Sequence, residues 1–100
     1  MARNPGTNSG GGSFDAVTVE AVWQKGAAVP GYQTFRRDVC GALMQRNGLG
    51  LTIQYGWEID HIFPASKGGS DSWANLQPLQ WENNRTKGDS TSQNYCKIRA

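Results

Sequence analysis

Residues 57–89 read WEIDHIFPASKGGSDSWANLQPLQWENNRTKGD. Leading into it, Leu49, Leu51, Ile53, Tyr55, Trp57 and Ile59 share one parity, with Thr52, Gln54, Glu58 and Asp60 on the other. Such alternation predicts a half-buried strand. The run is long for a strand in a small domain, so a bulge or turn is expected near Gly56. After Pro64 comes a polar loop, ASKGGSDSWAN. Leu76-Gln77-Pro78-Leu79 then reads as a short strand, confined to an edge because Pro78 has no amide donor. Trp81 to about Lys87 reads as a helix. Strand, loop, strand and helix in that order can fold as one hairpin packed on one helix.

Upstream, residues 1–13 hold Asn, Pro, Ser and Gly and read as a flexible segment with nothing to bury. Phe14 to Trp23 fits a strand and a short helix about equally. Lys25-Gly26 and Pro30-Gly31 mark turns. Thr34 can cap a helix from Phe35 to about Asn47, with Phe35, Val39 and Leu43 on one stripe and Asp38 in the first turn. Asn47-Gly48 would end it. Downstream, STSQNYCKIRA adds at most a turn or a short terminal element. These elements predict an α+β chain: residues 1–13 as a lead, then one domain over 14–100.

A chain of 100 residues makes one domain at most. It is small enough to be marginal unless its core is rich in large side chains, and four Trp, three Tyr and three Phe supply them. The net charge of +2 is compatible with a nucleic-acid partner without arguing for one. From Asn84 onward, Arg85, Lys87, Lys97 and Arg99 face a single acid, Asp89. No apolar run approaches the roughly 20 residues of a membrane span, and the first residues lack a secretory signal. The expectation is therefore a cytoplasmic protein with no membrane partner. Cys40 and Cys96 form no CxxC pair. A disulfide between them is open, but two reduced thiols are the expectation without a signal segment, with Cys40 in the core.

Asp60-His61 closes the first strand, Asn75 opens the second, and Asn84 lies on the helix. Asp60 and Asn84 could offer a carboxylate and an amide oxygen to a hard divalent cation completed by water and phosphate oxygens. His61, the only histidine, has an ordinary pKa of about 6.5 that suits a general base. Each residue also has a plainer reading: a surface pair, a turn amide, a helix-surface amide. Strict alternation would put Asp60 and His61 on opposite faces, so one site for both requires a twist.

The order and spacing of Asp60-His61-Ile62, Pro64, Ser66-Lys67-Gly68-Gly69, Asn75-Leu76-Gln77-Pro78-Leu79 and Asn84-Arg85-x-Lys87 resemble the HNH endonuclease family. The resemblance implies a small ββα-metal nuclease domain, here with an additional helix before it. It implies that His61 is the general base and Asp60 and Asn84 the metal ligands. Asn75 would pin the loop between the strands and help orient the base. Lys67, Arg85 and Lys87 would approach the nucleic-acid backbone, and Gly68-Gly69 would let the loop turn tightly. The implied cofactor is one divalent metal ion, Mg²⁺ first, with Mn²⁺, Ni²⁺ or Zn²⁺ as alternatives. The implied substrate is DNA, double-stranded rather than RNA, and the implied origin is bacterial or phage-encoded. Many members carry two CxxC pairs for a structural zinc. Here Gln80 and Asn83 stand where the second pair would be, so no structural zinc is expected. Two other roles stay open: a non-catalytic DNA-binding or assembly module that kept the fold, and the nuclease tip of a toxin. An immunity protein or a phage packaging protein would be the corresponding partner.

Overall fold

The computed structural model describes residues 4–100. Helix α1 spans Ala16–Trp23 and is capped by Asp15, whose carboxylate accepts from the Thr18 amide at 2.8 Å. That cap decides between the two conformations the sequence left open. Val19, Val22 and Trp23 are the buried face of the helix, at the i, i+3, i+4 spacing. They pack on Met44, Trp57, Ile59 and Leu76, with the Trp23 and Trp57 rings 5.0 Å apart. Lys25, just past the helix, donates to the carbonyls of Trp73 and Leu76. It thereby ties α1 to the segment at residues 73–76.

Strands β1 (Ala27–Ala28), β2 (Phe35–Arg37) and β3 (Leu43–Gln45) form an antiparallel sheet in that order. The helix expected over Phe35–Asn47 is therefore a β-hairpin followed by a single 3₁₀ turn at Arg46–Gly48. Asp38 explains the difference. Its Oδ1 accepts from the amides of Cys40 and Ala42, which closes the reversal between the strands. Asx side chains compete with helical hydrogen bonding in this way. Val39, expected on the buried stripe, is 71% exposed at the tip of that turn.

Strands β4 (Trp57–His61) and β5 (Leu76–Gln80) form a separate two-stranded antiparallel sheet, and α2 (Trp81–Lys87) follows directly. The register places Trp57 opposite Gln80, Ile59 opposite Pro78 and His61 opposite Leu76. The chain is thus an α+β fold with a ββα unit over residues 57–87. The alternating run does break at Gly56, as expected, and residues 51–56 are turns and loop rather than strand. β4 is not half-buried, however: all five of its residues are buried. Its apolar parity enters the core, and its polar parity, Glu58 and Asp60, is covered by α2 and by the amino-terminal segment. Gln80 caps α2, its side-chain oxygen accepting from the amides of Glu82 and Asn83.

Two expectations about the chain's edges change. Cys40 and Cys96 form a disulfide across 56 positions, joining the hairpin turn to the carboxy-terminal tail beside Leu79 and Tyr95. Two cysteines far apart in sequence carry no local sign that the fold brings them together. The lead assigned to residues 1–13 lies, from residue 4 onward, against the ββα unit: a Cβ on Gly6 would come 3.4 Å from the Glu58 side chain. Residues 1–3 lie outside the described residues. Among the described residues, no helix is long and apolar enough to cross a membrane.

Candidate active site

The end of β4, the second half of α2 and residues 4–7 enclose a cleft of about 240 Å³. Asp60, His61 and Asn84 all border it, together with Arg85. Asp60 and His61 meet there although they are neighbours on one strand, because His61 is the last residue of β4, where the chain turns away.

The carboxylate of Asp60 is buried and shared. Its Oδ1 accepts from Lys87 Nζ at 3.1 Å and its Oδ2 from Gln77 Nε2 at 2.9 Å. Burial pushes the Asp60 carboxyl above the usual carboxylate range, against the opposing pull of Gln77 and Lys87. Lys87 also donates to the His61 carbonyl at 2.9 Å. Expected beside a phosphate, Lys87 is instead buried, its ammonium committed inside the fold. The helical spacing from Asn84 to Lys87 puts both on the face that meets β4.

Asn84 Nδ2 donates to Glu58 Oε1 at 2.9 Å. A carboxylate only accepts, so Glu58 fixes which way the amide faces. Asn84 Oδ1 then has no bonding partner among the described residues. No buried side-chain oxygen or nitrogen is left unpaired, so this oxygen reaches the open cleft. Glu58 also takes both arms of Arg85, with Nη2 at 2.8 Å and Nε at 3.2 Å. The hydrogen bond and charge of Glu58 raise the Arg85 pKa. Arg85 remains partly exposed at the rim, and Lys67 is exposed on the 3₁₀ turn Ala65–Lys67.

His61 Nε2 lies 2.7 Å from Asp71 Oδ1. The ring packs beside Phe14, centroids 5.9 Å apart. Asn75 does not border the cleft. Its Oδ1 accepts from the Phe63 amide at 2.8 Å, and its Nδ2 donates to the carbonyls of Phe63 and Ser70. These bonds clasp the two ends of the loop that carries Asp71. Gly69 completes the clasp, since a Cβ there would lie 1.8 Å from the Phe63 carbonyl oxygen. Preceding it, Gly68 has φ of 95°, the left-handed region that suits glycine.

Sequence reasoning did not find Glu58, Asp71 or Gln77. Glu58 had a signal: it sits two residues before Asp60 and so shares its strand face. Gln77 is opposite Asp60 in the ladder, which is visible only once the register is known. Asp71 had none beyond being the acid in the GGSDS loop.

The donor set that faces the cleft can be tested against a metal ion. Asp60 offers a carboxylate whose oxygens each retain lone-pair capacity beyond one hydrogen bond. Asn84 offers an oriented oxygen with no other partner. Two oxygen donors with room for water suit a hard divalent cation that keeps much of its hydration. The chemistry of this pair of oxygen donors is compatible with such an ion, while among the described residues no group of three or more His, Cys, Asp or Glu gathers as a metal site.

Residues 51–93 match the model of a family described as HNH endonuclease. No curated protein and no solved structure is similar enough to match. The matched segment contains β4, the clasped loop, β5 and α2, which bring Asp60, His61 and Asn84 to one cleft, and over residues 51–93 this chain is similar to the HNH endonuclease family.

Proposed function

We propose that this protein is a metal-dependent DNA endonuclease in which His61 acts as general base and Asp60 and Asn84 hold one divalent cation. The observation that carries this reading is the convergence of the three side chains on one cleft, with the Asn84 oxygen turned to it and unpaired. A divalent cation bound there supplies charge stabilisation to the scissile phosphate and the leaving oxygen. His61 supplies the complementary half of hydrolysis. Its Nε2 is committed to Asp71, so Nδ1 is the nitrogen able to take a proton from an attacking water. Asn84 is held rigid by Glu58 and reaches the cleft in a single orientation, which lowers the cost of ordering it. Asp60 sits on a backbone locked by the β5 ladder, and Lys87 balances its charge while the cation is away. Arg85 at the cleft and Lys67 on the exposed 3₁₀ turn supply positive charge for a duplex backbone.

Supercoiled plasmid incubated with the purified protein, with Mg²⁺, Mn²⁺ or EDTA, tests the reading. Relaxation or linearisation is expected only with metal. His61→Ala is expected to cut the rate by about 10²–10⁴-fold, the usual contribution of a general base, with metal binding by calorimetry unchanged. Cleavage in EDTA, or near wild-type cleavage by His61→Ala, overturns it. Circular dichroism melts in EDTA are expected to show a folded protein, since the core is built without the ion.

A further inference from the structure

The segment that precedes the family-matched region touches His61 directly through Phe14 and indirectly through Ser9. Phe14 packs beside the imidazole. Ser9 in turn holds Asp71, and Asp71 holds the ring. The Ser9 amide donates to Asp71 Oδ1 at 2.9 Å and Oδ2 at 3.2 Å, and its hydroxyl donates to Oδ2 at 2.8 Å. Asp71 Oδ1 receives His61 Nε2 at 2.7 Å. The loop carrying Asp71 is itself clasped by Asn75, through Nδ2 to the Ser70 carbonyl at 2.9 Å. Asp71 does not border the cleft, so it can act there only through the ring it holds.

The chemistry of this chain of bonds is directional. Burial pushes the Asp71 carboxyl upward, but hydrogen bonds from His61 and Ser9 outweigh it and hold the group below the usual carboxylate range. An ionised carboxylate only accepts, so the nitrogen facing it must carry the proton. Nδ1 has no bonding partner among the described residues, and since no buried side-chain nitrogen is unpaired, it is open to solvent.

We propose that Ser9 and Asp71 form a positioning relay that fixes His61 with its proton on Nε2, leaving Nδ1 as the acceptor. The amino-terminal segment is then part of the working site and not a lead to it. The catalytic meaning of the relay rests on His61 being the base. The relay itself is a statement about a tautomer and can be read without any nuclease activity.

His61 is the only histidine, so ¹⁵N labelling of histidine gives one ring to follow by NMR. Above about pH 8, where an ordinary imidazole is neutral, the wild type is expected to show a protonated Nε2 with a slowly exchanging proton and a bare Nδ1. Asp71→Ala is expected to lose the protected proton and to show a detectable Nδ1-protonated form. Ser9→Ala is expected to keep the tautomer but exchange that proton several-fold faster, and Ser9→Thr, which keeps the hydroxyl, to restore the wild-type rate. On plasmid, Asp71→Ala is expected to lower kcat by about 10–10²-fold, part of the general-base contribution, with KM within about twofold. A folded Asp71→Ala that keeps the protected Nε2 proton overturns the relay, as does a wild-type ring protonated on Nδ1. If Asp71→Ala fails to fold, Ser9→Ala decides: an unchanged exchange rate overturns the role of Ser9. A fixed tautomer in a protein that cleaves nothing sinks the hydrolysis reading and leaves the relay. Cleavage with an unfixed tautomer sinks the relay alone.

Discussion

Lys87 Nζ stands 3.1 Å from Asp60 Oδ1, and both side chains are almost completely enclosed. A positive group inside the protein thus neutralises the carboxylate proposed to hold the cation. The pair joins α2 to β4 beneath the cleft that Asp60 borders, so structure and site share one contact.

Removing one partner of such a pair leaves a buried charge uncompensated. Lys87→Met is expected to lower stability by about 3–5 kcal/mol, a large share of the roughly 5–15 kcal/mol of a small domain. Urea denaturation of the single variant and of Asp60→Leu/Lys87→Met measures it. The double variant should recover a good part of the loss. Equal losses in both would show that the ion pair is not the source.

Asp38 is the second buried acid on which several elements depend. Besides closing the β2–β3 turn, its Oδ2 accepts from the Gln80 amide at 3.0 Å and from Asn83 Nδ2 at 3.0 Å. It therefore ties the hairpin to the start of α2. Asp38→Ala leaves several buried donors without an acceptor, each costing about 1–3 kcal/mol. The expected loss is about 3 kcal/mol or more, with Asp38→Asn less damaging. A shift in melting temperature of under about two degrees would refute the assignment.

The disulfide closes a loop defined by a separation of 56 residues. On the loop-entropy account a bridge of that size contributes about 4 kcal/mol. Reduction by dithiothreitol, or paired Cys40→Ser and Cys96→Ser, should therefore lower the melting temperature by many degrees. Free-thiol titration of the unfolded, unreduced protein should find none.

The Asp71 carboxyl is held below the usual range in the folded chain. Its contribution to stability is therefore present above the unfolded value of about 3.9 and is lost as pH falls through the lower folded value. The carboxylate is partly exposed, so screening keeps the effect modest. Melting temperatures of wild type and Asp71→Asn should differ at pH 6 and converge as pH drops from about 4 towards 2. A gap that persists in acid would mean that the ionised form is not what the fold stabilises.

The strand at Leu76 and the helix at Trp81–Lys87 were legible because they are short local runs, the strand marked as an edge by Pro78. The break at Gly56 was legible for the same reason. The region 35–47 was not, because Phe35, Val39 and Leu43 satisfy a helical stripe as well as they satisfy two strands joined by a turn. What decides between them is the Asp38 carboxylate, whose partners at Gln80 and Asn83 are more than forty residues away. Asp60, His61 and Asn84 were legible through their spacing. Glu58 and Asp71 were not, since each matters through a contact that exists only after folding: Glu58 through Asn84, Asp71 through His61.

Asn83 and Asn84 are consecutive on a helix of seven residues, yet they serve opposite flanks. Asn84 turns to Glu58 and the cleft. Asn83 is fully enclosed and grips the tail, donating to the Ile98 carbonyl at 2.8 Å and accepting from the Ile98 amide at 2.7 Å. A helix this short has little stiffness of its own, so its orientation is set by what grips it on either side. The tail therefore works as a brace behind the turn that carries Asn84. Slack introduced at Ile98, some way from the chemistry, would be transmitted as misalignment of the Asn84 oxygen rather than as loss of the fold.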